Sequence, residues 1–198
     1  MVFPVFYFGP ISYFSEIIKA ENVKFEVHEN FVKQTYRNRC YIQGANGKLR
    51  LAIPMNHDGS RKIKDLRVST ESNWKKEHFK SIVSAYKSSP FFDYYEDEIA
   101  QIYHQKIDFL LDFNLKTMEF IHSKLKLDLK FNQTESYETI SEEHDFRNKF
   151  NSKKEPDGIF PEYMQVFTEK LGFMPDLSIL DLLCNEGPNA TTYLKELV

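Results

Sequence analysis

Residues 172–188, Gly-Phe-Met-Pro-Asp-Leu-Ser-Ile-Leu-Asp-Leu-Leu-Cys-Asn-Glu-Gly-Pro, constrain the fold more than any other stretch of the chain. Wound as a helix of about 3.6 residues per turn, they carry Leu177, Ile179, Leu180, Leu182, Leu183 and Cys184 over most of the surface. A helix apolar nearly all round is buried. Ser178, Asp181 and Asn185 fall at i, i+3 and i+7 and share one face. A buried polar stripe must be hydrogen-bonded inside the protein or face a cleft, so these residues mark a candidate site. A local reading competes with it. Ser178 serves as the helix N-cap with Asp181 as an acidic capping-box partner, and Asn185 serves the C-cap beside Gly187-Pro188.

Upstream, the hydrophobic period switches between 2 and 3.6. Residues 2–8 read as a buried strand, Gly9-Pro10 as a turn, and 11–20 as a short helix with Ile11, Phe14, Ile17 and Ile18 on one face. Val23 to Val27 alternates as a second strand. Strand, helix and strand within so short a span imply a βαβ unit with a parallel pair. Cys40–Gln43 and Leu49–Pro54 flank Gly44-Ala45-Asn46-Gly47, a hairpin signal, and 63–68 suggests a further strand. Helices are expected from Ser72 as N-cap, from Pro90 to about Gln105, and over 107–127, the longest. Residues 133–160 are weakly patterned, and Tyr163 to Phe167 alternates as a short strand. The expected class is α/β: a short parallel or mixed sheet with a hairpin and packed helices, with α+β as the alternative.

The length of 198 residues and the lack of a Gly-, Pro- or Ser-rich linker predict a single domain over 1–198. With 18 Phe and 11 Tyr the chain is too apolar for disorder. Cys40 and Cys184 are too few for a disulfide framework and read as reduced thiols, Cys184 buried. The apolar N-terminus is too short to span a bilayer and lacks a basic leader pattern, which predicts a cytoplasmic protein with no membrane insertion.

The net charge of −3 hides an asymmetry. Residues 33–67 hold nine cations against Asp58 and Asp65, a balance of +7, and the remainder is −10. A basic patch in an acidic chain points to a local anionic ligand rather than a nucleic acid. In an extended segment Arg37 and Arg39 project to one face and form a fork for phosphate or carboxylate, with Asn38 opposite; two surface arginines with acidic neighbours is the alternative. Trp74 and His78 stack at i, i+4, and His78 is a candidate general base or a boundary histidine bonded to backbone or water. Glu142-Glu143-His144-Asp145 with Arg147 reads as a loop ion pair rather than a metal site, because no HxH, HExxH or CxxC spacing accompanies it. No P-loop, GxGxxG or GxSxG motif is present, and no cofactor is indicated.

Taken together, Gly9-Pro10-Ile11-Ser12-Tyr13-Phe14, Arg37-Asn38-Arg39-Cys40-Tyr41-Ile42, Trp74-Lys75-Lys76-Glu77-His78 and Tyr86-Lys87-Ser88-Ser89-Pro90-Phe91-Phe92 resemble the WbqC-like protein family. Tyr163 to Phe167 and Phe173 to Leu183 resemble it most, and the resemblance runs over nearly the whole chain. Between Leu127 and Tyr163 the chain departs from longer members, which carry a Ser-Gly-Pro-containing segment there. The resemblance implies a group transferase, with aminoacyl or glycyl transfer among its options, in the biosynthesis of O-antigen or other surface polysaccharides. The substrate would be a small anionic sugar-linked molecule such as a nucleotide-sugar or sugar phosphate. In that reading His78 or Asp181 is the base. Arg37 and Arg39 hold the anion, and Tyr13, Asn38, Trp74, Gln165, Ser178 and Asn185 complete the binding site. The alternative is a non-catalytic binding or assembly module of a surface-glycan pathway, with Phe91-Phe92-Asp93-Tyr94-Tyr95 as a surface for a protein partner.

Overall fold

The computed structural model describes residues 1–56, 59–127, 132–156 and 158–197. The βαβ unit is present. Strand β1 (Val2–Pro4) leads through α1 (Ile11–Lys19) to β2 (Lys24–Glu26), and the strands pair in parallel with Phe3 opposite Phe25. Residues 5–8 are buried but lie outside β1. The hairpin joins β3 (Arg39–Gly44) to β4 (Gly47–Ala52), with Cys40 opposite Leu51 and Gly44 opposite Gly47. Its two-residue loop is Ala45-Asn46, one position earlier than an Asn-Gly centre would give. Neither loop residue has positive φ, and Gly47 takes φ 120° in their place. Strand β5 (Asn132–Gln133) extends the first sheet, in the order β1-β2-β5.

Four helices form the middle and longest part of the chain. They are α2 (Trp74–Tyr86), α3 (Glu96–His104), α4 (Leu110–Leu125) and the single turn α5 (Thr168–Leu171). Several expectations are corrected here. Residues 63–68 are not a strand: Ile63–Asp65 is one 3-10 turn, followed by isolated bridges of Val68 to Met55 and Arg67 to Phe109. The N-cap of α2 is Asn73 rather than Ser72. Pro90 does not start a helix, because Phe92–Tyr94 forms a 3-10 turn before α3. Tyr163 to Phe167 has no strand partner.

Helix α6 (Ile179–Glu186) is shorter than the apolar run that announced it. Gly172 at φ 74° and Asp176 at φ 50° keep the preceding residues out of helical space. Ser178 is the N-cap, its Oγ accepting from Leu180 N at 3.3 Å. The capping box is half-formed, since Ser178 N donates to Tyr41 O rather than to Asp181. Only Asp181 and Asn185 of the proposed stripe therefore lie within the helix. The last helix, α7 (Ala190–Glu196), packs on α1, where Ser15 Oγ donates to Leu194 O at 2.8 Å.

The core is aromatic. Phe3, Phe6, Tyr7, Tyr13, Phe14, Phe25, Tyr86, Phe92 and Phe113 are fully buried, and each such ring contributes about 1.5–3 kcal/mol by leaving water. Phe6 and Tyr13 rings lie 4.7 Å apart, and Phe3 stacks on Phe146 at 4.4 Å. That last pair attaches the irregular segment after β5 to the sheet.

Candidate functional site

The sequence-predicted residues separate into four places. Arg37 turns inward, because the chain from 34 to 38 is a series of turns, with Gln34 at φ 62°, and β3 starts only at Arg39. Its guanidinium meets Glu29 in a bidentate pair, Nε to Oε1 and Nη2 to Oε2, both at 2.6 Å, and Nη2 also donates to Arg147 O. Arg37 is 2% exposed and Glu29 4%. The expected two-arginine clamp is not formed. Arg147 makes a parallel buried contact, to Asp145 at 2.6 Å and Glu26 at 3.2 Å, so the expected Asp145–Arg147 loop pair is present. Tyr13 is also internal, its hydroxyl donating to Pro4 O.

His78 and Trp74 occupy a second place. The face of α2 that carries Trp74, His78, Ile82 and Tyr86 is buried. Trp74 Nε1 donates to Ser69 O, and its ring meets His78 edge-on at 5.2 Å. His78 Nδ1 and the Tyr7 hydroxyl are hydrogen-bonded at 2.9 Å, and the Ala52 backbone favours the protonated ring. Tyr7 in turn hydrogen-bonds Tyr103. Burial lowers the His78 pKa to about 4, so the imidazole is neutral at pH 7. Tyr7 and Tyr103 were not legible as its partners, being 71 and 25 residues away in sequence.

Asp181 defines the third place. Its Oδ2 accepts from Tyr163 Oη at 2.6 Å and Gln165 Nε2 at 2.9 Å. Gln165 also bonds both Met174 backbone groups and Gln43. Burial raises the Asp181 carboxyl, and the Tyr163 and Gln165 side chains that donate to it oppose that. Tyr86 acts on Asp181 electrostatically, but its hydroxyl and Asp181 Oδ1 both fall short of a hydrogen bond. Asn185 donates to Asp181 O, and Ser178 Oγ donates to Phe8 O. This network joins α6 to the hairpin. Along α2, His78 and Tyr86 are two turns apart, about 12 Å, so His78 and Asp181 do not converge on one cleft.

What remains open to a ligand is a cavity of about 700 Å³ lined by Lys33, Asn38, Arg39, Arg61, Phe31 and Met55 among others. Asn38 is fixed by Nδ2 donating to Ile53 O at 3.0 Å. Its Oδ1 and the Arg39 Nε are buried without a hydrogen-bond partner. Among the described residues no carboxylate lines this cavity, and none pairs with Lys33, Arg39 or Arg61. His57 and Asp58 lie outside the described residues. Three cations and an unpaired amide around one concavity suit phosphate or carboxylate oxygens. Lys33 and Arg61 were not singled out from the sequence, although the nine-cation run contained both.

A separate cavity of about 680 Å³ is lined by Trp74, Lys75, Lys76, Phe79, Tyr103 and Lys106 among others. Both cysteines are free and buried, and burial pushes both thiols up. Of the aromatic residues of the Phe91–Tyr95 segment only Tyr94 is well exposed, at 75%, next to an exposed Asp93; Phe92 is in the core and Phe91 packs on Gly187. Among the described residues no group of three or more His, Cys, Asp or Glu is placed to hold a metal ion, and no helix is long and apolar enough to cross a membrane.

No curated protein and no solved structure matches the chain. The family match found covers residues 6–155 and stops short of Tyr163 to Leu183, where the sequence resemblance was strongest. It takes in α1, the hairpin, α2, α3, α4 and the Asn38–Arg39 cavity, well over half of the sequence. On that match the chain belongs to the WbqC-like protein family.

Proposed function

We propose that this protein is a group transferase of surface-polysaccharide biosynthesis that takes an anionic, sugar-linked substrate, a nucleotide-sugar or sugar phosphate, in the cavity at Asn38 and Arg39. The observation that carries the reading is the set of Lys33, Arg39 and Arg61, with no ion-pair partner among the described residues, around a concavity free of described carboxylates. The Arg39 and Asn38 side chains line the cavity with Lys33 and Arg61, and charged donors converging on one concavity suit a ligand with anionic oxygens. Membership of the WbqC-like family supports the reading, whose transferase and polysaccharide context is what the sequence resemblance implies.

The separate engagement of His78 and Asp181 favours a second reading, a non-catalytic module that binds the same anion. A thermal-shift screen against nucleotide-sugars, sugar phosphates and nucleoside diphosphates tests the shared part. A ligand at ~100 times its Kd adds about 2.7 kcal/mol, and the Arg39→Ala protein should not respond. Mass spectrometry of wild type incubated with a bound nucleotide-sugar and candidate acceptors separates the readings: a new conjugate supports the transferase, binding without turnover the module. A screen in which no anion shifts the folded protein sinks both.

A further inference from the structure

Residues 148–156 and Gly158 lie against the start of α1 and, with Tyr36 and Asp176, enclose another cavity of about 420 Å³; Asp157 lies outside the described residues. It lies on the other side of the 34–36 strip from the Arg39 cavity: Gln34 lines one and Tyr36 the other, and Ser152 Oγ donates to Gln34 O at 2.8 Å. Asp176 is its most constrained member. The backbone there is left-handed, at φ 50°, a conformation few residues other than Gly, Asn and Asp adopt readily. Such local strain is often held where a site needs a side chain aimed. Asp176 as a whole is 8% exposed. Oδ1 accepts from Ser12 N at 2.7 Å and Oδ2 from Ser12 Oγ at 2.9 Å. Two bonds leave a carboxylate with acceptor capacity unused. Burial pushes its pKa up to about 6 against the pull of those two bonds.

The walls differ in kind from the Arg39 cavity. Lys149 is occupied by Glu16 at 2.7 Å, and Lys154 and Glu155 add one charge of each sign to the lining. Asn148 and Asn151 add groups that both donate and accept, and Tyr36 and Phe150 add aromatic surface. Among the described residues the lining carries two lysines against three carboxylates, of which Asp176 has no cationic partner, and with its two amides and ring faces it fits a ligand with several hydroxyls on an apolar ring skeleton. Its volume lies in the usual range for small-molecule sites, roughly 300–1,000 Å³.

We propose that the Asp176 cavity binds an uncharged polyhydroxylated molecule of monosaccharide size, whose hydroxyls donate to the Asp176 carboxylate and whose ring face packs on Phe150 and Tyr36. The proposal does not rest on what fills the Arg39 cavity.

The test is titration of glucose, galactose, mannose and N-acetylglucosamine into the whole protein, followed by saturation-transfer NMR and calorimetry. Asp176→Asn is the main variant. It keeps a group that Ser12 can bond and is at ease at φ 50°, so the fold survives. At least one sugar should bind wild type, and about tenfold or more weakly to Asp176→Asn. Asn148→Ala should weaken it by a smaller factor. Pyrophosphate binding by Asp176→Asn should match wild type, which separates this site from the anion cavity. No binding by any of the four sugars at tens of millimolar, or equal binding to Asp176→Asn, overturns the proposal.

Discussion

Arg37→Ala should unfold the protein more easily rather than weaken its hold on an anion. The side chain is 2% exposed and its removal leaves Glu29, 4% exposed, without its bidentate partner. Breaking a buried ion pair from one side costs about 3–5 kcal/mol, a large part of the roughly 5–15 kcal/mol that holds a domain together. In a chain of this size each kcal/mol moves Tm by about 2–4 °C, so the melt should drop by about 6–20 °C. The loss should depend on pH in a defined direction. Burial already raises the Glu29 carboxyl, and Arg37 restrains it. Without Arg37 the folded state binds a proton that the unfolded state releases above its ordinary value of 4.5. The deficit of the variant is therefore small below that pH and grows toward neutrality. Replacing both partners, Glu29→Leu with Arg37→Met, should recover most of the stability. The assay is calorimetric melting of the three proteins between pH 4 and 8. An Arg37→Ala protein that melts with wild type but no longer binds pyrophosphate would refute the structural assignment and restore Arg37 to the ligand site.

Other outcomes follow from single features. Gly187→Ala places a Cβ 2.5 Å from the Phe91 ring at φ 51° and should cost more than about 1 kcal/mol in denaturant melts. The His78 imidazole should stay neutral in NMR titration until about pH 4. Its folded value lies below the ordinary 6.5, so its contribution to stability is intact above 6.5 and lost as pH falls toward 4; protonation near 6.5 in the folded protein would contradict this. Asp176 runs the other way: raised to about 6, it weakens the fold as pH rises through that value, so Asp176→Asn should raise Tm at pH 8 and lose the advantage below pH 3.8. Cys40 and Cys184 should resist a thiol reagent until the protein unfolds, and rapid labelling of either would show that its burial is wrong.

The βαβ start, the hairpin and the burial of residues 177–184 were legible because each follows from a local period. The strand β5 was not: Asn132 and Gln133 are polar, and their pairing with β2 rests on backbone groups alone. The site was half legible. The cation run located the Asn38–Arg39 cavity, but the direction of Arg37 depends on a turn at Gln34 and on Glu29 eight residues earlier. His78 was visible as a titratable group on a helix face, whereas its neutral state depends on burial against Tyr7 and Tyr103, rings brought in from other parts of the chain. Asp176 was overlooked because Met-Pro-Asp-Leu-Ser reads as the front of a helix. Its left-handed backbone is set by contact with α1.

Calorimetric titration of inorganic pyrophosphate at low salt into wild type and Arg39→Ala tests the central claim most directly. A single site in wild type, weakened by added salt and lost in an Arg39→Ala protein with an unchanged melt, is the result predicted for an anion cavity built on Asn38, Arg39, Lys33 and Arg61. No binding by wild type, or equal binding by both proteins, would contradict it.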